Sequence, residues 1–392
     1  MMLQEHEHSN WQESFKKAFK NEWKAITKDK AVVLTFVSMA VLILVIYSIV
    51  YNKEVVYDVP VAAIDQDFSK SSREFIQMVN ANPSVKTVGR YPDLATAKKA
   101  MYSGKVSGIF IIPARFGQEI ATNKQPTVSV YADASNLILY RAVYGSVAIA
   151  QGYFNGDIKV KRAIASGGGL SSVAPVATVT TNLFNPAGGY GTYLIPTVTA
   201  LILQLVILLA IGILGGTYFE QKIEAETTLR PRRPMIILLG RASTYLSIFL
   251  VLLPIQFGLI FYLFSFPLRA SLGSIYLFAL PYIMALVFLG IFISYFFKRR
   301  EDAILFLSIL AIPALMLSGL SYPYEGLNPL FKYTSELLPS TSGARGLVKL
   351  TQMGAPFNEV NIEWARLWGL TLLYFLLAAF TLRFKRRTVY LT

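Results

Sequence analysis

The sequence predicts an α-helical integral membrane protein with six transmembrane helices and an α/β extracytoplasmic domain inserted between the first two. Hydrophobic residues make up 54% of the 392 residues and charged residues only 15%, whereas a soluble domain carries nearer a quarter charged residues. The hydrophobic residues form runs long enough to span lipid. Between the first two runs, strand-like and helix-like stretches alternate, which is typical of an α/β layer.

Residues 1–30 are predicted to form a cytoplasmic tail and an amphipathic interfacial helix. One stripe of this helix is aromatic and lysines flank it, which favours a helix lying in the lipid headgroups with its lysines on anionic lipid. A helix packed on a protein partner is the alternative. The stripe contains Trp11, Phe15, Phe19, Trp23 and Ile26. Residues 31–51 carry no charge and are predicted to be the first transmembrane helix, about 30 Å long.

Residues 52–190 are predicted to be the extracytoplasmic α/β domain. Strands are expected at 59–65, 84–90, 106–113 and 126–133, because apolar runs there alternate with helix-like stretches. Ser69 or Ser71 can cap the first of these helices and Asp93 the second. Residues 136–165 are predicted to form a long helix that returns to the membrane.

Asp65 and Asp67 follow the first predicted strand, and such a pair raises the question of a metal site or an acid/base pair. The sequence offers no third ligand nearby. We therefore interpret the pair as a strand-to-helix turn in which an aspartate binds backbone N–H groups.

Residues 191–392 are predicted to contain the other five transmembrane helices, at 193–219, 247–266, 274–297, 303–320 and 364–384. Prolines inside these runs are tolerated where a neighbouring helix satisfies the carbonyls that they free. The segment at about 321–350 is too polar to span. It is predicted to be a re-entrant or interfacial helical hairpin, with an ordinary outer loop as the alternative.

Arginines and lysines cluster in the short loops on one side of these helices, and the side that carries them is cytoplasmic by the positive-inside rule. Six crossings then place both termini in the cytoplasm, and the protein is predicted to lie in the cytoplasmic (inner) membrane. The arginines between the second and third helices, the last of which is Arg241, are predicted to lie in a cytoplasmic loop. The same bias explains the net charge of +14 without a nucleic-acid partner.

Several kinds of chemistry are absent from the sequence. It has no cysteine, and its two histidines, His6 and His8, lie in a polar tail that favours disorder over metal binding. It contains no G-x-x-x-x-G-K-[ST] phosphate loop. Gln204 and Gln256 are the main polar side chains in spans that carry almost no ionisable residue, which disfavours an ion-driven carrier.

Four motifs along nearly the whole chain carry a family resemblance. They are "VPVAAIDQDFSKSSREF", "AKKAMYSGKVSGIFIIPARFGQEI", "LFNPAGGYGTYLIP" and the segment after the fifth helix with Ser318, Gly319, Pro323, Pro339 and Arg345. In this order they resemble the type-2 ABC exporter permeases. The first two are similar to the opening of that family's extracytoplasmic domain and to its helix, strand and Ile-Pro turn. The third resembles its Asn-Pro entry to the second helix, and the fourth resembles the segment after its fifth helix.

This resemblance implies a permease subunit of an ATP-driven export complex, which is not itself an enzyme. The expected partners are ABC ATPase subunits, a second permease chain (identical or a sister), membrane lipid and an outer periplasmic adaptor protein. The chain would bind no cofactor, since ATP and Mg would lie on the partner ATPase. A hydrophobic or amphipathic cargo, such as a drug or lipid-like molecule, suits the uncharged spans. An ion-driven carrier and a membrane receptor that senses a ligand through residues 52–190 are the alternatives.

Candidate site residues follow from this assignment. The loop after the second helix is predicted to couple to the ATPase through Glu220, Glu224, Glu226, Arg230, Arg232 and Arg233. The pathway and hairpin are predicted to use Gln204, Gln256, Glu325, Glu336 and Arg345.

Overall fold

The computed structural model describes residues 11–51, 55–165, 184–185, 189–220 and 234–389. The chain forms two compact units. The α/β unit is Val55–Thr181, and the helical unit combines Met1–Glu54 with Asn182–Thr392. The α/β unit is therefore an insertion in the sequence of the helical unit.

Two helices precede the α/β unit. Helix α1 is Trp11–Lys28, and helix α2 is Lys30–Val50 with a π-helical segment at Thr35–Ile43. Asp29 lies between them and accepts hydrogen bonds from the first backbone N–H groups of α2 at 3.0 and 3.3 Å. Both helices predicted for this part of the sequence are present, and Asp29 separates them because it caps the second.

The α/β unit contains a four-stranded sheet with the strand order β2-β1-β3-β4. Strand β1 is parallel to β2 and to β3, and β4 is antiparallel to β3. All four strands predicted from the sequence are present. The elements in chain order are β1 Val59–Asp65, α3 Lys70–Asn80, β2 Val85–Arg90, α4 Leu94–Tyr102, β3 Gly108–Ile112, α5 Phe116–Ala121, β4 Ser129–Ala132 and α6 Leu137–Ala165.

Strand β1 is the centre of this unit because helices cover both faces of the sheet. Val61 and Ala63 pack into a core shared with α3 and α6. Ala62 and Ile64 point to the opposite face and pack with α4. Alternate residues of a strand point to opposite faces, so the continuous apolar sequence of β1 is explained by burial on both sides.

The turn after β1 confirms the structural interpretation of Asp65. Its Oδ1 accepts hydrogen bonds from the backbone N–H groups of Asp67 and Phe68 at 3.1 and 3.0 Å, and its Oδ2 accepts one from the Ser72 hydroxyl at 2.9 Å. The carboxylate of Asp67 accepts a bond from the backbone N–H of Gly117 at 2.9 Å. Burial raises the pKa of Asp67, but its hydrogen bonds outweigh that effect and hold the pKa below its ordinary value.

The helical unit continues after the α/β unit with seven helices in the described residues. Five helices of the described chain are long and apolar enough to cross a membrane, namely α2, α7, α8, α9 and the stretch Phe357–Arg383. The bounds are α7 Tyr190–Glu220, α8 Pro234–Leu263 with a π-helical segment at Pro254–Ile260, α9 Leu272–Ser294, α10 Arg300–Leu317, α11 Pro329–Ser335, α12 Pro339–Thr351 and α13 Asn361–Val389.

The structure does not confirm the sixth predicted span at 303–320. Helix α10 contains residues 303–317 of this span, but its first turn carries Arg300, Glu301 and Asp302. The uncharged part from Ala303 to Leu317 is only about 22 Å long, shorter than the hydrocarbon core. Length and composition alone therefore support five spans among the described residues.

The assignment of Arg241 to a loop is wrong. The third span was predicted to begin at residue 247, whereas α8 begins at Pro234 and contains Arg241. The hydropathy of the sequence predicted that the helix starts after Arg241, because a lone charge lowers the mean hydropathy of the residues around it. Arg241 is tolerated within the helix because it has a buried partner, described below.

Two of the prolines inside apolar helices confirm the prediction about freed carbonyls. Pro281 of α9 cannot donate to the Leu277 carbonyl, which instead accepts a hydrogen bond from Trp364 Nε1 of α13 at 3.1 Å. The carbonyl four residues before Pro254 of α8 accepts from the Tyr276 hydroxyl of α9 at 2.6 Å. Neighbouring helices thus replace the bonds that proline removes.

Candidate functional site

A buried ion pair joins α1 to α8. Glu22 of α1 is 3% exposed. Its Oε2 accepts a hydrogen bond from Arg241 Nε at 2.8 Å, and its Oε1 accepts from Arg241 Nη2 at 3.2 Å and from the Tyr245 hydroxyl at 2.7 Å. The Arg241 guanidinium also lies 6.0 Å from the ring centre of Tyr218 in α7. A two-pronged contact of this kind fixes orientation as well as position, so α1 is held to α8 in one register.

The backbones of α1 and α8 approach closely beside this pair. A Cβ on Gly240 would lie 2.7 Å from the Phe15 carbonyl oxygen and 2.8 Å from the Ala18 Cβ. The Thr244 hydroxyl donates to the Phe19 carbonyl at 3.2 Å. Glycine at position 240 therefore allows the contact, and the surrounding hydrogen bonds secure it.

The predicted stripe of α1 coincides only in part with the face that is buried against the rest of the helical unit. The buried residues of α1 are Ala18, Glu22 and Ile26. Trp11 and Trp23 are 54% and 42% exposed, and Phe15 and Phe19 are half-buried. One face of α1 thus contacts its own chain, while the tryptophans remain available to another environment.

Arg300, at the start of α10, joins three helix ends. Its Nη2 donates to both carboxylate oxygens of Asp29 at 2.9 Å, and its backbone N–H donates to Glu220 Oε1 at 3.1 Å. Glu220 is the last residue of α7, and Asp29 separates α1 from α2. Gly216 of α7 allows this approach, because a Cβ there would lie 2.6 Å from the backbone carbonyl of Arg299.

We use the name charged junction for the five residues that make these contacts, namely Glu22, Arg241, Asp29, Arg300 and Glu220. Of the predicted coupling residues, the structure places only Glu220 in it. Glu224, Glu226, Arg230, Arg232 and Arg233 lie outside the described residues. Sequence reasoning missed the other four members, although an acidic residue between Ala18 and Ile26 on a lysine-rich helix is a signal that could have found Glu22.

A second charged cluster, the hairpin cluster, surrounds Glu336 between α11 and α12. Its carboxylate accepts hydrogen bonds from Arg345 Nη2 at 2.7 Å and Arg366 Nη1 at 2.9 Å, and also from the Tyr324 hydroxyl. The Arg345 guanidinium lies 4.1 Å from the ring centre of Tyr324. Arg366 belongs to α13 and was not predicted. The cluster therefore ties the hairpin segment to the last helix.

The hairpin cluster makes an acid-dependent contribution to stability. Burial raises the pKa of Glu336, but the hydrogen bonds from Tyr324 and Arg345 outweigh that effect and hold it below its ordinary value. A carboxylate with a lowered folded-state pKa stabilises the fold above its unfolded pKa and loses that effect as the pH falls through the folded value. We expect the melting temperature of Glu336→Gln to lie below that of the parent at neutral pH and to converge with it in acid.

Thermal unfolding in detergent across that pH range measures the effect. Glu325→Gln is the matched control, because Glu325 lies in the same segment and is exposed. A difference between the parent and Glu336→Gln that stays constant as the pH falls would contradict this account of Glu336.

The two glutamines predicted for the pathway bind backbone groups. Gln204 of α7 is buried, and its Oε1 accepts a hydrogen bond from the Ser340 N–H in the first turn of α12 at 3.0 Å. Gln256 is fully buried and donates to the Ala40 carbonyl at 2.8 Å. The latter bond joins the π-helical segments of α8 and α2. Both side chains connect helices, and their role in a pathway stays a prediction.

Comparison with known proteins gives two matches. The chain matches the family described as "ABC-2 family transporter protein" over residues 30–380. A stretch of 193 residues is 22% identical to the "Probable multidrug ABC transporter permease YbhR" of Escherichia coli (strain K12), and the same permease of Escherichia coli O157:H7 matches equally. The stretch is 49% of this chain and 51% of the relative, so the chain spans about half the length of the curated relatives it matches.

Proposed function

Since the chain belongs to the family of ABC-2 transporter proteins, we propose that it is the multi-pass permease subunit of an ATP-driven export complex. A partner ABC ATPase would bind ATP and Mg and drive the transport cycle. The observation that carries this proposal is the charged junction, where ion pairs join helices at one end of the helical unit.

The junction supports a specific path for the movement. Residues 221–233, which the sequence predicts to be a loop, connect Glu220 at the end of α7 to Pro234 at the start of α8. A force applied to that loop would reach α1 through the Glu22–Arg241 pair, and α2 and α10 through Arg300. Five helices would then respond together, because the ion pairs and hydrogen bonds of the junction link them. The Glu22–Arg241 pair is the buried one, and removing one partner of a buried pair costs about 3–5 kcal/mol.

A sixth crossing by α10 belongs to this proposal. The start of α10 is bonded to the end of α7 through Glu220. Just past the end of α10, the Leu320 carbonyl accepts a hydrogen bond from Tyr193 near the start of α7 at 2.9 Å. Helix α10 thus accompanies α7 over most of its length. With six crossings both termini lie in the cytoplasm of an inner-membrane protein, and the α/β unit is extracytoplasmic.

A hydrophobic or amphipathic cargo suits the described spans. Between the end turns of the five spans, the charged side chains are Arg241, Glu363 and Arg366, and each has a partner of opposite charge within ion-pair distance. Ion-driven carriers place carboxylates or arginines near the middle of their spans, so the ion-driven alternative is disfavoured. The name of the E. coli relative refers to multidrug transport, which agrees with such a cargo. We further propose a dimer with an identical or sister permease and an adaptor on the outer side.

Charge reversal in the loop tests the proposal. With a co-expressed ABC ATPase, Glu224→Lys/Glu226→Lys is expected to fold normally and to lose ATP-dependent dye efflux and permease-stimulated ATP hydrolysis. Glu13→Lys/Glu359→Lys is the control, because it makes the same charge change at two exposed positions elsewhere in the helical unit. Full activity of the loop variant would exclude this loop as the coupling site. Efflux driven by an ion gradient without the ATPase would favour the carrier.

A further inference from the structure

A cavity of about 650 Å³ lies where α1, α2, α7 and α10 meet. It is formed mainly by the end of α1 and the start of α2, and the last turns of α7 close one side. Its lining residues are Asn21, Lys24, Ala25, Lys28, Asp29, Lys30, Ala31, Leu214, Thr217, Tyr218 and Arg300. The cavity is distinct from the loop to which the ATPase is proposed to bind.

The charge of the cavity is strongly positive. Lys24 and Lys28 are four residues apart on α1 and so share one side of the helix, and Lys30 follows at the start of α2. Among the described residues, no carboxylate lies within ion-pair distance of these three lysines. The carboxylate in the lining, Asp29, is bonded by Arg300 and by backbone N–H groups. The three ammonium groups are therefore available to an external anion.

The remaining walls are apolar and continue onto an apolar surface. Ala25, Ala31 and Leu214 contribute to the lining. Leu34 is three residues after Ala31 and four after Lys30, so it lies on the same side of α2, and it is 63% exposed. The exposed face of α2 continues with Leu42, Ile46, Ile49 and Val50. An anion that enters the cavity thus has an uncharged helix surface beside it.

We propose that this cavity binds the phosphate-bearing headgroup of an anionic phospholipid, with its acyl chains along the exposed face of α2. The lysines supply the positive charge that such headgroups bind between membrane helices. Trp11 and Trp23, on the exposed side of α1, are consistent with a position of α1 at the headgroup region, because tryptophan favours the membrane–water interface. A free phosphate ion would bind the lysines but would make no apolar contact with the exposed face of α2. The inference needs α2 to lie in a membrane. Asp29 and Arg300 belong both to the cavity and to the junction, so the test changes lysines that lie outside the junction.

Lipid binding to the purified full chain in detergent tests the proposal. The probes are short-chain phosphatidylglycerol, phosphatidylcholine of the same chain length and inorganic phosphate, measured by native mass spectrometry and by Trp fluorescence. We expect phosphatidylglycerol to bind at least tenfold more tightly than the other two. Lys24→Gln/Lys28→Gln/Lys30→Gln should remove most of that preference, since each lysine near a membrane surface contributes about fivefold in affinity.

Lys16→Gln/Lys17→Gln/Lys20→Gln is the matched control, because it removes the same charge from exposed positions of α1 outside the cavity. It should retain the preference. Equal losses in both triple variants, equal binding of both lipids by the parent, or inorganic phosphate binding as tightly as phosphatidylglycerol would each overturn the proposal. A cavity triple variant that loses ATPase attachment but keeps its preference for phosphatidylglycerol would also overturn the proposal. If the cavity variant folds poorly, Lys28→Gln alone should still lower the preference about fivefold.

Discussion

Replacing Glu22 by leucine is expected to be among the most damaging single changes in the helical unit. It would leave Arg241 without its carboxylate and Tyr245 without its hydrogen-bond acceptor, in a site where Glu22 is 3% exposed. Removing one partner of a buried ion pair costs about 3–5 kcal/mol, because the remaining charge stays buried and uncompensated. We expect a lower melting temperature in detergent and faster hydrogen exchange throughout α1.

Two further variants separate this effect from a general loss of negative charge. Glu13→Leu makes the same change at an exposed position of the same helix and should alter stability by less than about 0.5 kcal/mol. Glu22→Leu/Arg241→Met replaces both charges by apolar side chains and should recover part of the stability, while the buried Tyr245 hydroxyl still lacks its acceptor. Equal melting temperatures for Glu13→Leu and Glu22→Leu would show that the pair does not hold α1.

The double variant also addresses coupling. If the Glu22–Arg241 pair transmits movement because of its orientation, Glu22→Leu/Arg241→Met should fold but support less ATP-dependent efflux than the parent. An apolar contact of similar volume preserves packing but lacks the two directed hydrogen bonds seen at 2.8 and 3.2 Å. Full efflux in this variant would assign the pair to stability alone.

Local signals explain what the sequence could predict. The strands of the α/β unit follow from short apolar runs, and β1 is continuous in apolar residues because both of its faces are covered. Of the two candidate caps for α3, Ser69 is the one that accepts the Ser72 N–H, and Asp93 caps α4 as expected. In each case the donor and the acceptor are only three residues apart, so the pattern is visible in the sequence.

Long-range pairing explains what the sequence could not predict. Glu22 and Arg241 are separated by 219 residues, and Asp29 and Arg300 by 271. A charge inside an apolar helix is read as a loop residue until its partner is known, which is why the start of α8 was placed after Arg241. The hairpin cluster shows the same limit, since Glu336 and Arg345 were candidates but Arg366 of α13 was not.

Gly216→Ala is expected to separate α7 from the start of α10. A Cβ at Gly216 would lie 2.6 Å from the carbonyl carbon and oxygen of Arg299 and 2.7 Å from the Arg300 nitrogen. These are backbone atoms, so they cannot move aside as a flexible side chain would. Overpacking of this kind costs about 1–3 kcal/mol, and here it would also displace Arg300 from Asp29 and Glu220. We expect reduced thermal stability together with reduced coupling to the ATPase.

Gly369→Ala is the control for Gly216→Ala, because Gly369 also lies within a long apolar helix and no atom is within 4 Å of its added Cβ. Alanine there should raise stability slightly, by about 0.5–1 kcal/mol, since glycine weakens helix interiors. The opposite signs of the two changes separate the close approach from helix propensity. If Gly216→Ala also raises the melting temperature and leaves ATP-dependent efflux unchanged, α7 and α10 do not need the contact, and Arg300 does not depend on it to join the three helix ends.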